Sequence, residues 1–415
     1  FTGGTGSITF YKNNSSQGAI SSIPLNNHWL PWIGGYGSSS GNQSKMYINF
    51  GQRDFAYTPP TGAKALCSTN LSEPTILDGT EHFNTVLYTG NGGSQSITGV
   101  GFQPDLLWIK NRDQADNHQL HDVIRGTTKG LHSNTSGAEY TDADALDSFD
   151  SDGFSMDNNY DSHNKSSENY VAWNWKGGGS GSSNTTGDID STVSANPTAG
   201  FSIVSYQGNQ TAGQSVGHGM GVAPEIIFFK NRSSSSRNWE INAVNPNDQT
   251  YDYFYLNLTA AVGGGSLGIS NPTSSVFEVT AGNDANQNGH DFMAYCFSSV
   301  EGYSKFGTYI GNGNGDGPFI YTGFKPAFVM LKTLTFDKGW RMTDSVRDPT
   351  NPIHASLFPN LANEEYTATG SNQQGQQFLS NGFKIQNTNS RDNQDGERYM
   401  YLAFAESPFK YSHAK

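Results

Sequence analysis

A chain of 415 residues with 49 Gly, 25 Phe, 20 Tyr and 7 Trp, of which only 15% are charged, has the composition of short strands joined by polar loops, and as a length prior it allows two to four domains. Its formal net charge of −13, with 24 scattered Lys+Arg, excludes the basic stripe of a nucleic-acid surface. Aromatic and β-branched residues stand in discrete runs, which excludes a disordered chain, and no apolar run approaches the ~20 residues of a membrane helix.

From the start of the chain, Ser7-Ile8-Thr9-Phe10-Tyr11 alternates as a strand and residues 12–18 are turn chemistry. Trp29-Leu30-Pro31-Trp32-Ile33 is a second apolar segment, 34–41 a Gly/Ser loop, and 45–52 a third strand. Three strands are too few for a closed sandwich, so residues 1–66 read as part of one whose remainder lies upstream. A chain starting Phe1-Thr2-Gly3 reads as a trimmed one. Residues 67–85 read as a linker. Cys67 and Cys296 are far apart without metal or redox spacing, and each reads as a small buried apolar group.

A repeat then sets in. Gly101-Phe102-Gln103-Pro104 leads an apolar run closed by Lys110-Asn111-Arg112. Gly221-Val222-Ala223-Pro224 leads one closed by Lys230-Asn231-Arg232, and Gly323-Phe324-Lys325-Pro326 leads one closed by Lys332. A period of roughly 100 to 120 residues is a whole small domain, longer than a solenoid unit. Each run is apolar throughout, which predicts a strand covered on both faces. Every copy opens with a strand entering a Gly-Asn turn (Gly90-Asn91, Gly208-Asn209, Gly311-Asn312). Each closes with an aromatic strand carrying Ala172, Ala294 or Ala403, where a facing strand is expected to come close. The modules span 86–176, 201–299 and 308–415. Between the first two, 177–200 reads as a flexible Gly/Ser tether with a lead-in strand, and 300–307 as a short stiff junction. Residues 139–147 and 359–366 are each given a turn or two of helix.

Several constellations bear on chemistry. Asp142, Asp144, Asp147, Asp150 and Asp152 put hard oxygen ligands at short spacing in one loop, as calcium requires, yet without EF-hand spacing; the alternatives are a solvated acidic loop and a bound Ca2+. His118, His121, His132 and His163 form a loose group that reads as loop histidines rather than a zinc site. Gly179-Ser180-Gly181 lies in a linker rather than at a nucleophile elbow. Asp150/Asp152 is not specific as a glycosidase pair. Gly311-Asn312-Gly313-Asn314-Gly315 has no helix behind it to cradle phosphate. Trp239, Trp340, Tyr251, Tyr253 and Tyr255 sit in the polar excursions after the Pro-led strands, either packed beneath their own loops or, as the candidate contact residues Trp239, Trp340, Tyr251 and Tyr253, stacking on sugars or a partner.

The segments Ile8-Thr9-Phe10-Tyr11-Lys12-Asn13, Trp29-Leu30-Pro31-Trp32-Ile33 and Asn49-Phe50-Gly51-Gln52-Arg53-Asp54-Phe55 resemble the C-terminal strands of a SPRY or concanavalin-like sandwich. The repeated Tyr-x-Gly-Asn, Gly-Phe-x-Pro-apolar-Lys-Asn-Arg and Tyr-x-Ala-aromatic pattern is similar to a module of virion proteins of tailed bacteriophages of marine and cyanobacterial type. Module three departs by placing Thr333-Leu334 where the others have Asn-Arg. The resemblance implies an all-β chain: the end of a SPRY/concanavalin-like sandwich, then three tandem β-sandwich, jelly-roll-like modules. It further implies a non-enzymatic tail-fibre or appendage component on the exterior of the virion, acting as a spacer and contacting host surface glycans. Its partners would be other virion proteins and copies of itself, as a trimer, without nucleic acid, membrane insertion or a cofactor other than the candidate Ca2+. The alternatives are a head fibre or capsid-decorating protein and a polysaccharide-degrading tail spike.

Overall fold

The computed structural model describes residues 5–13, 15–24, 47, 49, 53–58, 64, 65, 67–157, 160–244, 251–263, 268–367 and 375–412. The chain is all-β, and it divides into two compact units, Phe1–Ser72 and Glu73–Lys415. In the first, Thr5–Lys12 and Ser15–Pro24 pair as an antiparallel hairpin, with Ile8, Phe10 and Ile20 exposed. The strands expected at 29–33 and, but for Tyr47 and Asn49, at 45–52 lie outside the described residues. Cys67 is exposed, unlike the buried thiol expected, and only Cys296 is buried.

The second unit holds three copies of one antiparallel sandwich. In repeat 1 the larger sheet runs Phe83–Thr89, Asn169–Trp175, Leu106–Asn111, Gln119–Asp122, and the smaller Gln95–Ile97, Gly153–Met156, Ser148–Asp150. Repeat 2 sets Phe201–Gln207, Asp291–Phe297, Ile226–Asn231 and Glu240–Val244 against Gln214–Gly217, Val276–Val279 and Ile269–Ser270. Repeat 3 sets Ser304–Ile310, Arg398–Pro408, Phe324–Thr333 and Arg341–Asp344 against Phe319–Tyr321, Gly382–Gln386 and Gly375–Leu379. Gly101, Gly221 and Gly323, with φ of +87°, +77° and +87°, turn the chain into the Pro-led strand through a region that side-chain-bearing residues avoid.

Those strands are apolar throughout because two different surfaces cover them. Successive side chains point to opposite faces of a sheet. Leu107 and Ile109 pack within repeat 1, and Ile227 and Phe229 within repeat 2. The alternate residues, Leu106 and Trp108, Ile226 and Phe228, Phe328 and Met330, enter one cluster drawn from all three repeats. Trp173, Trp175, Tyr295, Phe297, Leu402 and Phe404 join it from the closing strands. A cavity of only about 30 Å³ remains where the three meet, room for one water, with a wholly apolar lining. The repeats therefore share a core.

This sharing changes three expectations about the connections. The 67–85 stretch is integral to the second unit from Glu73 onward, with Phe83 buried and stacked on Phe404 at 5.0 Å. The Gly-rich stretch after Trp175 is held in place. Asp105 Oδ2 accepts from the Gly177 and Gly179 amides at 2.7 and 3.1 Å, Ser194 Oγ accepts from Gly178, and Ser182–Asn184 and Ser191–Asn196 extend the sheet of repeat 2. Of the segments given helical turns, 139–147 holds instead the short strand Tyr140–Thr141, and 359–366 only reaches the first residue of the strand Tyr366–Thr367, each strand fixed by cross-strand pairing. Ala172, Ala294 and Ala403 are fully buried opposite Ile109, Phe229 and Val329.

A second recurring device fixes the loops. Asn164, Asn286 and Asn393 accept from the backbone of Asn91, Asn209 and Asn312 at 2.9, 2.8 and 2.8 Å, closing each Gly-Asn turn onto the Asn/Asp-rich loop. Tyr88, Tyr206 and Tyr309 donate their hydroxyls to the residue before each of these asparagines, His163, Ala285 and Asp392. Buried amide and phenol groups find partners here as burial requires.

Candidate functional site

The groups with the most chemical potential gather at the seams between repeats. The excursion after each Pro-led strand reaches a neighbour. The Glu139 amide donates to the Arg232 carbonyl at 2.8 Å, that of Val262 to Leu334 at 3.0 Å, and that of Glu365 to Arg112 at 2.8 Å. Repeat 1 thus reaches repeat 2, repeat 2 reaches repeat 3, and repeat 3 returns to repeat 1, closing a cycle. Two seams carry bidentate ion pairs: Arg232 donates to Glu139 at 2.8 and 3.2 Å, and Arg112 to Glu365 at 2.7 and 3.1 Å. At the third, Leu334 lies in the core cluster and Val262 packs against it.

A ring nitrogen crosses every seam at the start of the fourth strand. Trp239 Nε1 donates to the His132 carbonyl and Trp340 Nε1 to that of Tyr255, both at 2.9 Å, while His118 Nε2 meets the Phe358 carbonyl at 3.1 Å. Trp108 Nε1 donates to His118 Nδ1 at 2.9 Å, which leaves the proton on Nε2, facing that carbonyl. Lys230 and Lys332 end their strands fully buried and cap carbonyls across the seam, at Ser136 and Thr259. Burial pushes these amines, and that of Lys110, down to about 8.

Beneath the bidentate seams lie two alike buried clusters. Asp122 Oδ2 accepts from Arg125 Nε at 2.5 Å and from the hydroxyl of Tyr295, in repeat 2, at 2.8 Å. Asp344 Oδ2 accepts from Arg347 Nε at 2.5 Å and from Nε1 of Trp173, in repeat 1, at 3.1 Å. Both Asp–Arg pairs are fully buried. In the strand register the corresponding pair at the remaining seam is Ala243 and Leu402. A third ion pair, Arg341 with Asp392, is enclosed within repeat 3 and steadied by Ser356. Carboxylates already accepting from guanidinium, phenol or indole make poor bases, so these pairs are suited to joining repeats.

Two buried titratable groups stand apart. His121 Nε2 and His163 Nε2 meet at 2.8 Å, and among the described residues the buried His163 Nδ1 has no hydrogen-bond partner. Burial pushes His121 down to about 3 and His163 well below the ordinary imidazole range. Glu240, corresponding in register to Gln119 and Arg341, has Oε2 buried without a partner among the described residues, and desolvation pushes its carboxyl up to about 8. Among the described residues no group of three or more His, Cys, Asp or Glu is placed to hold a metal ion.

The structure separates most of the residues singled out in the sequence. Trp239 and Trp340 are fully buried and donate across seams, so they are not exposed platforms. Tyr253 folds over Gly263 and meets Tyr255 edge-on at 5.8 Å; Tyr251 lies in the strand Tyr251–Tyr255. The acidic residues turn to local backbone and hydroxyls. Asp142 accepts from the Asp144 amide, Asp150 from Ser148 and Ser155, and Asp152 from the Gly99 and Gly101 amides, while Asp147 is exposed. Hydrogen bonds to Gly101 and Gly99 hold Asp152 below the usual carboxylate range. Of the four histidine rings only those of His121 and His163 meet, while His132 Nδ1 reaches the His118 carbonyl at 3.2 Å; His118, His121 and His163 are fully buried rather than in open loops, and His132 stacks on Tyr140 at 4.8 Å. Sequence reading missed the seam residues Arg112, Glu139, Arg232 and Glu365, although the Asn-Arg ending of two Pro-led strands carried their signal.

Fold and site together define an all-β unit of three like sandwiches closed around one core by residue pairs at the seams. A family model described as a domain of unknown function (DUF7483) matches residues 78–408, all three repeats in one span, and the chain belongs to that family. No curated protein and no solved structure matches the chain.

Proposed function

We propose that the chain is a non-enzymatic structural component of a tailed-bacteriophage particle, an appendage of tail-fibre type. It stands on the exterior of the virion among other virion proteins and meets host surface glycans through loops held rigidly by the repeats. The observation that carries this reading is the use of the buried Asp122–Arg125, Asp344–Arg347 and bidentate Arg–Glu pairs to join repeats. Placed there, they support mechanical closure rather than turnover. The resemblance of the repeated pattern to virion modules supplies the setting.

Antibodies against the purified full chain, used to label phage particles for electron microscopy, test the assignment. Label on a tail appendage supports it. Label on the capsid lattice supports a head fibre instead, and release of reducing ends from host polysaccharide would overturn the non-enzymatic part.

A further inference from the structure

Repeat 3 has an open pocket where repeats 1 and 2 are closed. In each repeat the excursion forms a cross-strand pair ten residues apart: Gly130 with Tyr140, Tyr253 with Gly263, and Ser356 with Tyr366. In the first two, the tyrosine ring lies across the glycine opposite, so close that a methyl group there would fall 2.2 Å from the Tyr140 ring or 2.0 Å from that of Tyr253. Each ring also meets the aromatic residue two positions on from the pair's first member, Tyr140 stacking on His132 at 4.8 Å and Tyr253 meeting Tyr255 edge-on at 5.8 Å. Ser356 bars this closure in repeat 3. Its side chain is buried and takes a hydrogen bond from Arg341 Nε at 2.8 Å, while Tyr366 remains 45% exposed.

A pocket of about 320 Å³ results, lined by Phe358, Leu361, Asn363, Glu364, Tyr366 and Arg391, with Glu365 at its edge. That volume is at the lower end of small-ligand sites. The polar lining is particular to this repeat: Asn363 and Glu364 take the places of Gly137-Ala138 and Ala260-Ala261. Arg391 lies over the Phe358 ring at 4.5 Å, where repeat 1 has its stacked tyrosine, and among the described residues its guanidinium has no acceptor.

We infer that this pocket binds an acidic saccharide, a pyranose carrying a carboxylate. The planar guanidinium of Arg391 presents parallel donors suited to a carboxylate. The exposed Tyr366 ring and the apolar floor of Phe358 and Leu361 suit the C–H face of a sugar, with Asn363 and Glu364 beside them for hydroxyls. Glu364 and the chain's net charge of −13 disfavour a polyanion, so the ligand has one localised charge and several hydroxyls. The inference gives a ligand class to the glycan contact in the reading above. It is measured on the chain alone, so binding without particle label removes only the phage setting, and label without binding removes only the pocket.

Saturation-transfer NMR on the full chain with galacturonate, galactose and acetate, each titrated to about 10 mM, tests it. Galacturonate is expected to bind saturably and the other two are not. Arg391→Gln and Tyr366→Ala are each expected to weaken galacturonate binding about fivefold or more. Tyr366 is exposed, so its variant should keep the parent melting temperature and report on binding alone. Acetate binding as well as galacturonate would mean an anion hole only, and equal galactose binding a neutral subsite; either overturns the proposal. So would absence of galacturonate binding, or binding unchanged in the Tyr366 variant.

Discussion

Val262 donates its amide to the Leu334 carbonyl at 3.0 Å, in the places that Glu139 and Arg232, and Glu365 and Arg112, hold at the other two seams. Both charges are missing together there, and Ala243 with Leu402 likewise stands where the other seams pair Asp122 with Tyr295 and Asp344 with Trp173. A part-buried charge without its partner is costly, whereas an apolar pair of fitting shape is close to neutral.

Single substitutions at the apolar seam should therefore be more harmful than the pair. Val262→Glu or Leu334→Arg alone is expected to destabilise the second unit by about 3 kcal/mol, and the double variant to recover part of that loss. Urea unfolding of the four proteins measures the coupling; strict additivity would show that the two positions do not interact across the seam.

Ending the chain after Gly307 uncovers Trp173, Trp175 and Phe297, which pack in the core cluster with Phe328 and Phe404. Free-standing modules would survive such a cut, but a shared core should not. Loss of the cooperative transition and exposure of a dye-binding apolar surface are expected, and calorimetry of the full chain should show repeats 1 to 3 melting together. A truncated chain that kept the parent transition would contradict the shared core.

Glu240 titrates near 8 when folded, against about 4.5 when unfolded. The native state keeps the proton that the unfolded chain gives up, so this group's contribution is fully present below about pH 4.5 and is lost as pH rises through 8. Glu240→Gln, which copies Gln119 of repeat 1, should raise the melting temperature at pH 8 by about 3 °C. At pH 4 it should leave it unchanged. Thermal melts at the two pH values decide.

His121 and His163 have the opposite dependence. Their folded pKa values are depressed, to about 3 for His121, so the unfolded chain takes up protons first as pH falls below the ordinary value of 6.5. Stability is intact above about pH 6.5 and declines toward pH 3, by up to about 1.4 kcal/mol per pH unit for each histidine. His121→Asn with His163→Ala, which reproduces Asn242 and Ala285 of repeat 2, should flatten that decline in acid-unfolding curves.

Much of the architecture was legible in the chain. The Pro-led runs located the strand at the middle of each repeat, and their unbroken hydrophobicity showed that both faces are covered. Which surfaces cover them was not legible, because a face buried by a partner sheet and one buried by a neighbouring repeat select the same residues. Trp239 and Trp340 were misplaced for a related reason. They immediately precede strands inside polar excursions whose residues Ser235, Ser236, Asp337 and Lys338 are exposed, and that local polarity hides the inward turn of each indole to a carbonyl of the neighbouring repeat. Thr333-Leu334 was visible as a departure, but its counterpart Val262 becomes informative only once the seam joins them. The pocket was hidden further still, since it depends on Ser356 standing opposite Tyr366 rather than on either residue alone.

A threefold arrangement made from three identical chains would carry each feature three times, and a change at one position would appear at all of them. Here a single polypeptide supplies all three parts, so each can diverge alone. Ser356, Asn363, Glu364 and Arg391 occur once per molecule, and the two tyrosine-closed repeats beside them keep the unit shut while the third is left open to variation.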